Sequence, residues 1–314
     1  MKTSSLFCFI FLLLGSNAYS TEYAVNGDFE TGDFTGWAVE NDGLTVWQIG
    51  STGYNDPYLG IIEPLFGTYS PITLQLEPSA QILLQLDVTI PAHVYSANVS
   101  WFDRITNLGA DYELIDEFSG QYFLVGLRFQ DGDLLDNVLF LTEPGDPLDQ
   151  PGPNFRSQDV TALLQDHEGE DASLFFRVSV DRGPIVAQVD DISFDIGTTI
   201  PVLIDIKPGS SDNPINNNGH GVIPVAILGS ATFDVSAIDI ASVSLQGLTV
   251  KTTGKGKHAL HHFSDVNADG YIDLFCQIDD SEIVFSEGDT VAELRGQLTN
   301  GADFRGEDFI ILVP

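Results

Sequence analysis

Cysteine is scarce in this sequence, which excludes a fold held together by disulfide bonds. The chain of 314 residues contains two cysteines, Cys8 and Cys276. Cys8 falls in an N-terminal segment that we expect to be removed, so the mature protein has no partner for an intrachain disulfide. Cys276 stands in the apolar run 272–278, which predicts a small buried core residue rather than a nucleophile.

Basic residues are also few, and this excludes two classes of partner. The sequence has 12 Lys and Arg residues against 46 Asp and Glu residues, a formal net charge of −34. Such a surface repels nucleic acids and anionic membranes. The excess of carboxylates has two compatible interpretations, solubility in salty water, where ions screen the repulsion, and the binding of divalent cations.

Hydrophobic runs long enough to span a bilayer are missing. Residues 1–20 place one lysine before the apolar run 6–14 and end in the small-residue pattern Ala18-Tyr19-Ser20. This arrangement predicts a secretory signal peptide, and its apolar run is too short to be a transmembrane helix. We therefore expect a secreted protein, extracellular or periplasmic, whose mature chain begins near Thr21.

Sequence motifs of common enzymes are missing too. The chain has no G-x-S-x-G elbow, no H-E-x-x-H pair and no phosphate loop. With so many carboxylates, an acid pair of the kind that glycosidases use arises by chance, so sequence does not exclude one. The prediction is a non-catalytic protein, with a polysaccharide lyase or hydrolase as the alternative.

Helical periodicity is nearly absent, whereas short β-branched and aromatic runs recur between Gly, Pro, Asn and Asp clusters. This spacing is typical of β-sandwiches. The composition changes at Gly197–Pro201, and Pro201 cannot donate to a central ladder. We predict an all-β protein with a signal peptide at 1–20, a jelly roll at 22–197, a linker at 198–201 and an immunoglobulin-like sandwich at 202–314.

The segment 265–273 reads DVNADGYID and has the spacing of a calcium loop. Oxygen-bearing side chains stand at Asp265, Asn267, Asp269 and Asp273, and Gly270 allows a tight turn. The carbonyl of Tyr271 would add a ligand. Because like charges this close repel by roughly 1 kcal/mol or more per pair, a cation would relieve them.

This loop is not an EF-hand, because the position of the bidentate glutamate is Cys276. It resembles the loop-to-strand calcium site of integrin alpha-chain propellers and FG-GAP repeats over nine residues, which implies the site and not the propeller. The alternative is an Asx-rich surface turn without a metal.

Two segments that frame the first predicted domain carry a second resemblance. VNGDFETGDFTGW at 25–37 and QVDDISFDI at 188–196 are similar to the first and last strands of galactose-binding-like jelly rolls, which include many carbohydrate-binding modules. The resemblance implies a structural calcium between these strands, held here by Glu30 and Asp190, with Asp191 as a substitute. The alternative is that these acids are solvated turn residues.

Sugar binding needs exposed aromatic rings, on which the C–H faces of pyranoses stack, together with amides and carboxylates. The candidates are Trp47, Tyr54, Tyr58 and Trp101, with core packing as the alternative for each ring. Trp37 is predicted to lie in the core because it begins a strand.

The second predicted domain resembles a module of exported bacterial proteins that carries IDIKPGS, GVIPVAILGSATFDV and a DVNxDG loop. This resemblance implies an extracytoplasmic setting and no chemistry. His258, His261 and His262 lie in the one locally basic stretch, where a zinc or copper site is an alternative to a plain surface segment.

Together these features predict a secreted, calcium-binding, non-catalytic protein that binds a glycan or an extracellular matrix component. A structural matrix or adhesion protein, in which calcium serves stability alone, is the alternative of a different class.

Overall fold

The computed structural model describes residues 20–313, except 42–44, 57–59, 76–79, 108–121, 130–131, 133–136, 143–145, 148–149, 181–184, 217 and 255–257. The predicted signal peptide therefore lies outside the described residues, apart from Ser20. None of the helices in the described ranges is long and apolar enough to cross a membrane.

The N-terminal part of the described chain is built of strands with one short helix. In chain order these are β1 (Ser20–Glu22), β2 (Ala38–Glu40), β3 (Thr45–Ser51), β4 (Tyr54–Asp56), β5 (Gly60–Ile62), β6 (Tyr69–Gln75), β7 (Ala80–Thr89), β8 (Ser96–Asn107), β9 (Tyr122–Phe129), β10 (Val138–Leu141), β11 (Gln150–Asp159), α1 (Thr161–Gln165), β12 (Asp171–Val180) and β13 (Ile185–Gly197).

Two sheets from these strands pack face to face as the first sandwich. Sheet I has the order β11-β8-β13-β6-β3, with β1 also paired to β13, and sheet II has the order β10-β9-β12-β7-β2. Alternate residues of both sheets, such as Val99 and Trp101 of β8 and Leu174 and Phe176 of β12, share one buried core. Trp37 belongs to this core, as predicted.

The C-terminal part forms a second sandwich with a short 3-10 turn at Val235–Ala237. Its strands are β14 (Thr199–Pro201), β15 (Ile204–Ile206), β16 (Pro214–Asn216), β17 (Val222–Ile227), β18 (Ile238–Leu245), β19 (Leu248–Thr249), β20 (Thr252–Thr253), β21 (His258–Ala259), β22 (His261–Ser264), β23 (Asp273–Asp279), β24 (Val291–Leu298), β25 (Asp303–Phe309) and β26 (Ile311–Val313).

Sheet III, of order β14-β25-β24-β18-β19, and sheet IV, of order β15-β17-β23-β22, enclose the second core. Cys276 is fully buried in it, and burial raises the pKa of its thiol to about 12. The all-β fold class with two β-sandwiches is confirmed.

The segment 198–201 differs from the linker that composition predicts. Thr199–Pro201 pairs in parallel with Asp303–Arg305 of β25. Pro201 is tolerated because β14 is the edge strand of sheet III. An edge strand has one side without a ladder partner, so a residue that lacks an N–H on that side breaks no hydrogen bond.

Candidate functional site

Three phenylalanines form an exposed cluster on the outer side of sheet I. Phe102 of β8 and Phe155 of β11 are ladder partners, with ring centroids 5.0 Å apart. Phe66, from the loop before β6, packs on Phe102 with a centroid distance of 4.7 Å. Phe155 is 62% exposed and Phe66 is 37% exposed. We call this cluster the aromatic face.

Polar side chains continue the same outer surface in two rows. The row next to Phe102 consists of Ser157, Ser100 and Ser193, which are paired across β11, β8 and β13; the row beyond it consists of Asp159, Asn98 and Asp195. Strand alternation places them on the outer side, because their neighbours Val99 and Phe194 point into the core. Hydroxyl, amide and carboxylate groups therefore lie beside the rings.

The loop that carries Phe66 is tied to the sheet by its backbone. The Phe66 N–H donates to Asp190 Oδ2 at 3.0 Å, and the Thr68 and Tyr69 N–H groups donate to Glu30 Oε1 at 2.7 and 3.1 Å. These two amide bonds are the main reason that the pKa of Glu30 is lowered. The loop is thus positioned by the two acids for which the sequence predicts a calcium site.

The glycine in this loop explains how closely the Glu30 carboxylate approaches. Gly67 has φ +56°, and a Cβ atom there would lie 2.2 Å from Glu30 Oε1. A larger residue would therefore push the carboxylate away from the amides that it accepts.

Glu30 and Asp190 belong to a cluster of acids that we call the carboxylate cluster, which also includes Asp28 and Asp191. Asp190 is 1% exposed, and burial raises its pKa to about 7, with smaller contributions from the charges of Asp191 and Glu30. Burial also raises the pKa of Asp191, followed by the charges of Asp28 and Glu30. Because each charge penalises its neighbours, the cluster favours either a proton or a cation.

A shallow cavity of about 350 Å³ lies at this cluster and is lined by polar groups that include Glu22, Asn26, Asp28 and Asp191. Oxygen ligands of this kind suit Ca²⁺. However, the Asp190 carboxylate already accepts the N–H groups of Phe66 and Asp191. Within the described ranges, no three His, Cys, Asp or Glu side chains converge as a metal centre would require.

The loop 265–273 folds as a tight turn ordered by its own acids. Asp265 accepts the N–H groups of Asp269 and Gly270 through its two oxygens, at 3.2 and 3.1 Å. Asp269 Oδ1 accepts the Tyr271 N–H at 2.8 Å. These bonds wrap the chain around the side chains of Asp265 and Asp269, as in an Asx turn.

Asp273 has a different environment from the other acids of this loop. It is completely buried at the start of β23, where its oxygens accept the N–H groups of Val266 and Gly229 at 2.7 and 2.9 Å. It therefore anchors the loop to the turn at Gly229, whereas the side-chain oxygens of Asp265, Asn267 and Asp269 accept hydrogen bonds from within the loop.

Two of the four predicted aromatic ligand residues are buried. Trp47 is 3% exposed and Trp101 is fully buried, so neither ring can stack on a sugar; this part of the prediction is wrong. Both rings occupy inward strand positions and pack in the first core. Tyr54 is half-buried in β4, and Tyr58 lies outside the described residues.

The residues that sequence reasoning missed are Phe66, Phe102 and Phe155. The sequence does contain a signal for Phe102, because adjacent strand residues point to opposite faces and Trp101 points into the core. The histidines of the basic stretch offer no comparable cluster: His261 packs against Phe263 and His262 against Phe275, at 5.8 and 4.8 Å between ring centroids.

Comparisons with known proteins show no family membership. No protein-family model matches the chain, and no curated protein matches it. Among solved structures, the chain is similar to TmCBM61 in complex with β-1,4-galactotriose, at 15% identity and a TM-score of 0.35, over 55% of this chain and 97% of that one.

Two further solved structures have similar values. The Stig cyclase Fisc from Fischerella sp. TAU matches at 13% identity and a TM-score of 0.36, over 56% of this chain and 98% of that one. The K3 cleaved adhesin domain of Lys-gingipain from Porphyromonas gingivalis w83 matches at 13% identity and 0.33, with the same coverage. Likenesses this distant carry nothing about a ligand, and the three proteins differ in function.

Proposed function

We propose that this protein is a secreted, calcium-stabilised, non-catalytic glycan-binding protein and that the aromatic face is its binding surface. The observation that carries the proposal is the position of half-buried Phe102 and exposed Phe155 beside the polar row of Ser157, Ser100 and Ser193 on the outer side of sheet I. A pyranose has one apolar C–H face and a rim of hydroxyls. Rings and hydrogen-bonding groups side by side match both parts of such a ligand.

The charge of the surface indicates the class of glycan. Asp159 and Asp195 lie in the polar row on the outer side of sheet I, and the whole chain carries a net charge of −34. A uronate or sulfated chain is negatively charged, so these carboxylates would repel it. The proposed ligand is therefore a neutral polysaccharide.

Calcium has a supporting role in this proposal. Glu30 and Asp190, with Asp28 and Asp191 beside them, would hold one ion, and Asp265, Asn267, Asp269 and the Tyr271 carbonyl would hold another. The oxygen-only donor sets and the mutual repulsion of the first cluster support calcium rather than a softer metal. An ion at the carboxylate cluster would stabilise the loop that carries Phe66.

A matrix or adhesion protein remains the second candidate, because of the geometry of the rings. The planes of Phe66 and Phe102 are inclined at 76° and those of Phe102 and Phe155 at 49°, so the rings form no flat platform. Exposed phenylalanine rings have no polar atom to bond a sugar hydroxyl, and an apolar patch of this kind also suits a protein interface. In that case calcium would serve stability alone.

A glycan array probed in calcium with the full chain from residue 21 tests the proposal. The variants are Phe155→Ser, which removes the most exposed ring, and the matched control Phe309→Ser, whose residue is 49% exposed on sheet III. We expect binding to neutral glycans that weakens at least about tenfold in Phe155→Ser and is unchanged in the control. Equal binding by both variants would exclude the aromatic face as the glycan site.

A further inference from the structure

The outer side of sheet II, opposite the aromatic face across the first core, contains a polar groove. Its cavity of about 600 Å³ is lined by residues of β7, β9 and β12 that include Asp87, Thr89, Arg128, Asp171 and Ser173. Asp87, Ser173 and Arg128 are paired across the three strands. They point outward, because Leu86, Leu174 and Leu127 beside them lie in the core.

The groove is ordered by a chain of hydrogen bonds along its floor. Ser173 Oγ donates to Asp87 Oδ1 at 2.5 Å, and Gln85 Nε2 donates to the same oxygen at 3.3 Å. Thr89 Oγ1 donates to Asp171 Oδ1 at 2.6 Å. The carboxylates are thus fixed in place through their Oδ1 atoms, and no residue in the described part of the chain donates to their Oδ2 atoms.

Arg128 supplies the complementary donors. Its Nη2 donates to Gln85 Oε1 at 3.3 Å. This hydrogen bond uses one of the five N–H donors of the guanidinium. The groove therefore combines a planar donor with two acceptors. Adjacent hydroxyls, which donate and accept at once, satisfy both kinds of group together.

An apolar wall stands next to this floor. Val88, Phe129 and Ala172 supply the apolar part of the cavity lining. A cavity of this volume, with a polar floor and an apolar wall, has the form of a small-molecule site.

The charges of the groove select the ligand class. The lining contains two carboxylates and one guanidinium, so a phosphate or sulfate would be repelled by Asp87 and Asp171. Arg128 would in turn repel an amine or a metal ion. An uncharged ligand rich in hydroxyls is the class that these groups fit.

We infer that the groove is a second sugar-binding site, independent of the aromatic face. Since the two surfaces lie on opposite outer sides of one sandwich, a single molecule would hold two glycan chains and cross-link them. The cross-linking rests on the proposed function, whereas binding at the groove does not.

Isothermal titration calorimetry with neutral β-1,4-linked glucan, galactan and mannan tetrasaccharides tests this inference on the full chain from residue 21. The groove variant is Arg128→Gln, and its control is Arg295→Gln, which removes the same charge from an exposed position on sheet III. Thermal melting of each variant checks that it is folded.

We expect two tetrasaccharides per wild-type molecule and per Arg295→Gln molecule. Arg128→Gln should weaken one binding event at least tenfold, Phe155→Ser should weaken the other, and the double variant should lose both. If Arg128→Gln binds as the wild type does, the groove is not a sugar site, whether or not Phe155→Ser reduces binding.

Loss of binding in Arg128→Gln with none in Phe155→Ser would support the groove and reject the aromatic face. The two proposals therefore fail separately. Mixing the wild-type chain with the corresponding long neutral polysaccharide should raise turbidity, and either single variant should abolish that rise.

Discussion

Buried acids differ in how the first sandwich stabilises them. Asp103 is fully buried, but the guanidinium of Arg156 pairs with it, and Trp101 Nε1 and Asn154 Nδ2 donate to it at 3.0 and 3.2 Å. Asp190 is nearly as buried and accepts two backbone N–H groups, with carboxylates as its charged neighbours. Burial of a charge without a counter-charge disfavours ionisation.

This difference predicts a pH dependence of stability in EGTA. The pKa of Asp190 is raised from 3.8 to about 7, so its folded state binds a proton more tightly than its unfolded state. Its contribution is fully present below about pH 4 and is lost as the pH rises to about 7, by on the order of 4 kcal/mol at most.

Urea unfolding between pH 4 and pH 8 measures this contribution. Asp190→Asn, which cannot ionise, should flatten the fall in unfolding free energy, and the exposed control Asp212→Asn should retain it. Equal slopes in all three chains would show that Asp190 does not carry the effect.

The alternation of inward and outward residues in β8 explains why the sequence-based prediction for Trp101 is wrong. The inward set of β8 includes Ala97, Val99, Trp101, Asp103 and Ile105, so an aspartate interrupts an otherwise apolar face. Arg156 and Asn154 come from β11, about fifty residues away, and sequence alone does not show that they satisfy Asp103. The strand runs themselves were predictable, because their periodicity is local.

At the scale of elements, the loop that carries Phe66 depends on Glu30, which lies 38 residues from Thr68. Glu30→Ala should release the Thr68 and Tyr69 amides. We expect hydrogen exchange to accelerate at least about tenfold in the segment 66–69, because its Thr68 and Tyr69 amides lose their acceptor.

Hydrogen exchange followed by mass spectrometry tests this prediction, with Glu40→Ala, an exposed glutamate of β2, as the control. Unchanged protection of residues 66–69 in Glu30→Ala would mean that the loop is held by other contacts. Sequence indicated Glu30 through a family resemblance, but not its partners, because the loop of Phe66 has no periodic signal.

For the whole molecule, the prediction concerns calcium. An ion that binds the native state raises its melting temperature, so EGTA should lower the midpoint by several degrees relative to excess Ca²⁺. Asp269→Ala should lose the part of this response that belongs to the loop 265–273, and Glu30→Ala the part that belongs to the carboxylate cluster.

Differential scanning calorimetry of the three chains with and without calcium separates these contributions. Coincident curves would mean that both segments are acidic turns without a metal. The two sandwiches themselves followed from strand spacing, whereas the place of 199–201 in sheet III depends on β25, a hundred residues later in the chain.

Glycan binding at the aromatic face is tested most directly by hydroxyl-radical footprinting of the full chain with a bound neutral oligosaccharide. Phe155 and Phe66 are exposed and should be oxidised in the free protein, whereas Phe309 serves as an internal reference away from sheet I. We expect the ligand to protect Phe155 and Phe66 severalfold and to leave Phe309 unchanged. Bound oligosaccharide without protection of Phe155 would contradict the proposed site.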